Sequence, residues 1–152
     1  MTAPQRLIEL MEQRLQLADE VAKTKWNGHL PIEDRVREKA ILEQLPAVSG
    51  LDPQLARDFM EAQMEASKSR QRELHQLWQT RAAPPFGDAL PLQQLRPRLD
   101  RLTQPMLEAL AQTRPSSLKA CLQARYGEAL PPLWQRATQP LLKAKEPATN
   151  RP

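Results

Sequence analysis

Glycine is scarce in this 152-residue chain, at 4 residues, and aromatic side chains make up only 4%. Leu, Ala, Gln, Glu and Arg dominate instead, and they lose little rotamer freedom in a helix, so the composition favours helices over sheets. A single cysteine, Cys121, excludes an intramolecular disulfide and leaves no basis for a cysteine zinc site. It reads as a small packing residue on a helix face. There is no His pair at metal-ligand spacing, no G-x-S-x-G motif and no Gly-rich phosphate loop, so no metal or cofactor is expected. His29 reads as a connector residue and His75 as a surface or capping group near the end of a helix. No stretch approaches the roughly 20 apolar residues of a membrane span. No secretory signal precedes Leu7, so the chain is expected to be cytoplasmic, or a mature periplasmic or secreted form.

Proline, by contrast, is plentiful at 15 residues, and most of it falls at helix starts, in connectors or in the C-terminal half. The length suits one domain with a real core. The pattern predicts an all-α, single-domain bundle of about six helices across residues 1–152. Residues 1–80 form a three-helix unit, and 92–145 a C-terminal helical half. Helix one runs from about Pro4 to Trp26, burying Leu7, Ile8, Met11, Leu15, Ala18 and Val21, and Asn27-Gly28 ends it. Helix two starts near Glu33 and ends before Pro46, burying Val36, Ile41 and Leu45. Asp52 caps helix three, with Pro53 in its first position, and the helix reaches about Gln79. Residues 82–91 read as a Pro-rich connector. A fourth helix starts between Leu92 and Pro97, with Pro97 in its first turn and Pro105 kinking or interrupting it. A fifth follows a Ser116-Ser117 cap and ends at Gly127. A sixth starts at Pro131-Pro132, is kinked at Pro140, and leaves a frayed tail from Glu146. Trp26, Trp78 and Trp134 read as packing residues with edges near solvent.

The informative polar residues lie where apolar ones belong. Arg14 and Lys25 are eleven residues apart, almost three helical turns, so they point the same way along the stripe that holds Ala18, Val21 and Ala22. Two cations in an apolar stripe are costly unless an anion meets them. Helix two brings Asp34, Arg37 and Glu38 within one turn. Helix three sets Ser67 and Gln71 at an i,i+4 spacing on one face. Polar groups in register on three inward stripes predict a ligand pocket inside the bundle, and the excess of cations predicts an anionic ligand.

The strings R-L-Q-L-A-D-E-V-A-K-T-K, L-P-I-E-D-R-V-R-E and A-S-K-S-R-Q carry these residues in a register that resembles the all-helical, AroQ-class chorismate mutases. The resemblance covers residues 7 to 78, while the later helices are similar only to the longer, typically exported gamma subclass. It implies a pericyclic rearrangement of chorismate to prephenate with no cofactor. By the same resemblance, Arg14 and Arg37 bind the substrate's carboxylates, and Ser67 adds a hydrogen bond to one of them. Lys25 and Gln71 flank the ether oxygen, and Glu38 with the backbone of Asp34 holds the ring hydroxyl. Short members take a further arginine from a partner subunit, seventeen residues before the position of Arg14, and this sequence starts thirteen residues before it. The gamma subclass takes that cation from its own C-terminal half, which points to Arg96, with Arg98 as the substitute because Pro97 departs from the pattern. A homodimer is a possible assembly. The lone Cys121 departs from gamma members that carry a disulfide, which weakens the inference of export.

Each residue also has a plainer reading. Helical charge runs such as Arg14, Arg37 and Glu38 are usually solvated faces worth little energetically, Lys25 could snorkel from a helix end, and Ser67 and Gln71 could simply be exposed. A net charge of +4 and a pI of about 9.6 suit nucleic acid as well as a small anion. The alternative is therefore a non-enzymatic basic helical protein that binds nucleic acid through Lys68-Ser69-Arg70 and Arg96-Pro97-Arg98. Against it, acids interleave with the bases and no aromatic stacking platform appears.

Overall fold

A computed structural model of the chain describes residues 1–143, and these form six helices with no strand among them. They are α1 (Ala3–Gly28), α2 (Arg35–Glu43), α3 (Pro53–Thr80), α4 (Leu92–Ala111), α5 (Pro115–Tyr126) and α6 (Pro132–Lys143). The all-α expectation holds, and α1 and α3 are the two longest elements, at 26 and 28 residues. The tail expected to fray from Glu146 lies outside the described residues.

Local chemistry accounts for most helix boundaries. Thr2 and Gln5 form a reciprocal capping box at the start of α1, each side chain taking the other's backbone N–H. Asp52 caps α3 by accepting from Leu55 N at 3.1 Å, with Pro53 in the first position. At the end of α1 the left-handed residue is His29 (φ 51°), not Gly28, which stays helical. His29 N–H and Leu30 N–H donate to the last carbonyls of α1, and this reverses the chain toward α2.

Five helices build one core. α1 packs against α3 on one side and against α4 and α5 on the other, and α6 covers the far flank of α3. Leu7, Met11, Phe59, Met60, Met106, Leu107, Leu118 and Leu122 are essentially inaccessible within it. The connector 81–91 is tied down: Asn27 exchanges two 2.7 Å hydrogen bonds with Phe86, Lys23 pairs with Asp88 at 3.0 Å, and Thr24 Oγ1 donates to the Leu90 carbonyl. Phe86 stacks on Trp78, which meets Trp26 and His75. His75 is therefore packed rather than superficial, with Nε2 2.8 Å from the Ala22 carbonyl.

Three expectations fail for physical reasons. α2 has no fully buried residue and Val36 is 84% exposed, because Arg37 and Glu38 share the inward side of α2 with Ile41 and Leu42, which are half-buried, as is Leu45 just beyond the helix. α4 runs through both Pro97, its sixth residue, and Pro105 without interruption. Each proline removes one helix hydrogen bond, and the burial of Leu95, Met106, Leu107 and Leu110 outweighs that loss. The N-cap of α5 is Arg114, with Pro115 in the first helical position, so Ser116 and Ser117 lie inside the helix.

Candidate active site

Arg14, Lys25, Asp34, Arg37, Glu38, Ser67, Gln71 and Arg96 all line one cavity, enclosed by α1, α2, α3 and the first turns of α4. Arg14 and Lys25 rise from the buried stripe of α1, only 7% and 8% exposed. Arg14 Nη1 donates to the Gln63 carbonyl at 3.2 Å, and Lys25 Nζ donates to the Ile32 carbonyl at 2.6 Å. That second bond depends on the reversal at His29, which carries Ile32 back over the end of α1.

Asp34 caps α2 by accepting from Arg37 N at 3.1 Å. Its own N–H donates to Glu38 Oε2 at 3.0 Å, so the first turn of α2 is closed by its two carboxylates. Asp34 Oδ2 also accepts from Arg96 at 3.4 Å, and Asp100, one turn after Arg96, accepts from Arg37 at 3.2 Å. Arg98 points elsewhere: it is exposed and lines a separate groove beside Gln13, Leu17 and Arg101. On α3, Gln71 is 4% exposed; its Nε2 donates to Ser67 Oγ at 3.1 Å, and its buried Oε1 has no partner.

The charged members of the cavity were legible from sequence except for two, Lys68 and Asp100. Lys68 is 5% exposed, and its Nζ meets Glu38, Glu65 and Glu33 at 2.7, 2.8 and 3.1 Å. A signal was present: Lys68 continues the i+4 stripe of Met60 and Met64 toward Gln71, which is the argument that singled out Arg14. Arg70, its neighbour in the supposed basic cluster, is a bidentate partner of Asp19 at 2.9 and 3.2 Å. Both cations of this cluster are therefore engaged in ion pairs within the fold.

Of the five lining cations, Lys68 is taken up by Glu38, Glu65 and Glu33, Arg37 pairs with Asp100 and Arg96 with Asp34, while Arg14 and Lys25 donate to backbone carbonyls. Burial, then the neighbouring Arg37, pulls the Arg14 guanidinium down to about 10, against the opposing pull of Asp100. Burial also lowers Lys25; Asp34 and Glu38 oppose the shift, while Arg96 and Arg37 add to it. For Lys68, burial pulls downward, but the hydrogen bonds to Glu38, Glu65 and Glu33 outweigh it and leave the ammonium more firmly protonated than a free lysine. Buried cations lowered in this way, Arg14 and Lys25, are relieved by an incoming anion.

An all-helical bundle enclosing an anion site of this make-up defines a class, and comparison with known proteins names it. Residues 4–72 match the family model for chorismate mutase type II. A crystal structure of chorismate mutase from Burkholderia thailandensis is 35% identical, with a TM-score of 0.77 over 93% of this chain and 99% of that one. The chain belongs to the type II chorismate mutase family. It is also 30% identical over 122 residues to a secreted chorismate mutase of Yersinia pestis, covering 78% of this chain and 63% of that protein. A monofunctional chorismate mutase of Enterobacter agglomerans is 32% identical over 111 residues, covering 70% of this chain and 60% of that protein. The chain thus spans about three fifths of the length of these two relatives.

Proposed function

We propose that this protein rearranges chorismate to prephenate, with residues 1–80 and the C-terminal half acting as one unit. The observation that carries the reading is a pair of buried cations, Arg14 and Lys25, that donate to backbone carbonyls in a cavity that also holds the uncharged donor Gln71. Chorismate is a dianion, and its two carboxylates suit a cavity lined by Arg14, Lys25, Arg37 and Arg96. Arg14, Arg37 and Arg96 bind them, with Asp100 giving way at Arg37, and Ser67 adds a hydrogen bond. The C–O bond breaks as a C–C bond forms within the same molecule, so no covalent intermediate or cofactor is required. Negative charge grows on the ether oxygen, where Lys25 and Gln71 donate. A half-turn of the Gln71 amide lets Ser67 Oγ–H donate to Oε1 and turns the NH2 into the cavity, which removes the unpartnered acceptor. Glu38, beside the Asp34 backbone, accepts the ring hydroxyl. Confinement to the reactive conformer and this fixed electrostatic field together supply about 8 kcal/mol for a millionfold acceleration.

Loss of chorismate absorbance in the ultraviolet at nanomolar protein tests the activity, and a rate equal to buffer alone overturns it. Similarity to a relative described as secreted supports a place outside the cytoplasm, which fractionation of the native host would check. The possible homodimer is tested by light scattering.

A further inference from the structure

Lys68 lines the cavity, yet the reaction as written gives it nothing to do. It is more deeply buried than Lys25, at 5% against 8% exposure. An ammonium has three N–H donors, and Lys68 faces three carboxylates: Glu38 at 2.7 Å, Glu65 at 2.8 Å and Glu33 at 3.1 Å. Its donors are fully committed, so it is not a fourth hand for a bound carboxylate. Two of its partners, Glu33 and Glu38, bracket the start of α2, and the third sits one turn back on its own helix. Glu38 is held at both ends, with Oε1 on Lys68 and Oε2 on the Asp34 N–H at 3.0 Å. A carboxylate pinned through both oxygens cannot rotate, and each oxygen keeps a further lone pair for another donor.

We propose that Lys68 is a positioning residue of the reaction, fixing the Glu38 carboxylate so that it accepts the ring hydroxyl of the substrate. The inference rests on the mutase reading and extends it to a residue whose three donors are already taken by carboxylates. Without Lys68, Glu38 would be free to turn toward solvent, since its side chain is 22% exposed. The discrimination for the hydroxyl would fall while the carboxylate-binding arginines stayed in place.

The test compares kcat/KM for chorismate and for an analogue lacking the ring hydroxyl, in the wild type, Lys68→Met, Glu38→Gln and the double variant. The wild type should prefer chorismate by about tenfold to a hundredfold, the worth of a hydrogen bond to a charged group. Lys68→Met, which keeps the apolar stem, should reduce that preference to within about threefold. The double variant should be no worse than Glu38→Gln alone, because both changes remove one device. A Lys68→Met enzyme that loses rate equally on both substrates, or losses that add in the double variant, would overturn the proposal. If Lys68→Met does not fold by circular dichroism, Lys68→Gln takes its place and the same two comparisons decide. A wild type inactive on chorismate sinks the mutase reading itself. An active wild type with an unchanged preference in the variant sinks only the role of Lys68.

Discussion

α3 and α2 are opposite walls of the same cavity, and they are held by different physics. α3 buries nine residues, among them Phe59, Met60 and Ala66, and sits between α1 and α6. α2 fully buries none: Leu42 packs against the core's edge, and ion pairs and hydrogen bonds hold the helix and the segment leading into it through Lys68, Arg96, Asp100 and Lys25. One wall is positioned by the exclusion of water. The other is positioned by charges that a ligand can rearrange. A site that must admit a dianion and then surround it needs both, because packed cores resist deformation whereas partly exposed ion pairs exchange partners at little cost.

The largest effect that sharpens the contrast is on stability. Phe59→Ala should cost about 3–5 kcal/mol by urea denaturation, as for a large core side chain, while Val36→Ala on α2 should stay within about 0.5 kcal/mol. Comparable costs at the two positions would mean that α2 is also held by burial. Next comes Lys25→Ala, which should lower kcat by at least about 100-fold through loss of a donor to the reacting oxygen, with the circular dichroism unchanged. A variant keeping a tenth of the wild-type kcat would remove Lys25 from the chemistry.

A smaller difference separates neighbouring arginines of α4. Arg96→Ala should reduce kcat/KM by about tenfold or more by raising KM, as expected for one charged hydrogen bond. Arg98→Ala, on the other face, should change it little, and the reverse result would relocate the cation. The mildest effect is on pH. Arg14 is depressed to about 10, so anion binding and kcat/KM should decline as pH rises toward that value. Because its folded value lies below its unfolded one, the folded state sheds its proton first, and this group favours folding more, not less, as pH climbs. Lys68 runs the other way: its raised value keeps its contribution intact up to its unfolded value of 10.5. Activity should therefore fall between pH 9 and 10 with no parallel fall in melting temperature. A joint decline would assign the loss to unfolding. Gln71 carries no charge at any pH, so kcat should be flat between about pH 5 and 8, whereas in Gln71→Glu it should fall with rising pH.

Much of this architecture was readable from the chain because the signals were local. Asp52-Pro53 marks a helix start in any context, and Arg14 and Lys25 stood out by interrupting an apolar stripe. The misreadings came where tertiary contacts decide. Val36 looked like a core residue by type, but its face of α2 is turned to solvent, because Arg37 and Glu38 take the side that meets the bundle. Lys68, between two serines, looked like a solvated lysine, because Glu33 and Glu38 reach it only after the chain reverses at His29. Asp100 drew no attention, since its meaning depends on Arg37, sixty-three residues away. The register of Arg96 was legible, yet its orientation relative to Arg98 awaited a helix that continues past Pro97.

The two prolines inside α4 have a kinetic consequence. A helix interior with two prolines is disfavoured by roughly 3 kcal/mol at each, so α4 has little tendency to form before its neighbours exist. The order expected from this is that α1 and α3 meet first and α4 docks onto a surface already made. Shortening Leu107 to alanine should then accelerate unfolding and leave the refolding rate nearly untouched, whereas the same change at Met60 should slow refolding. Arg96 stands on that helix, so in this order the site gains its last cation only as α4 docks.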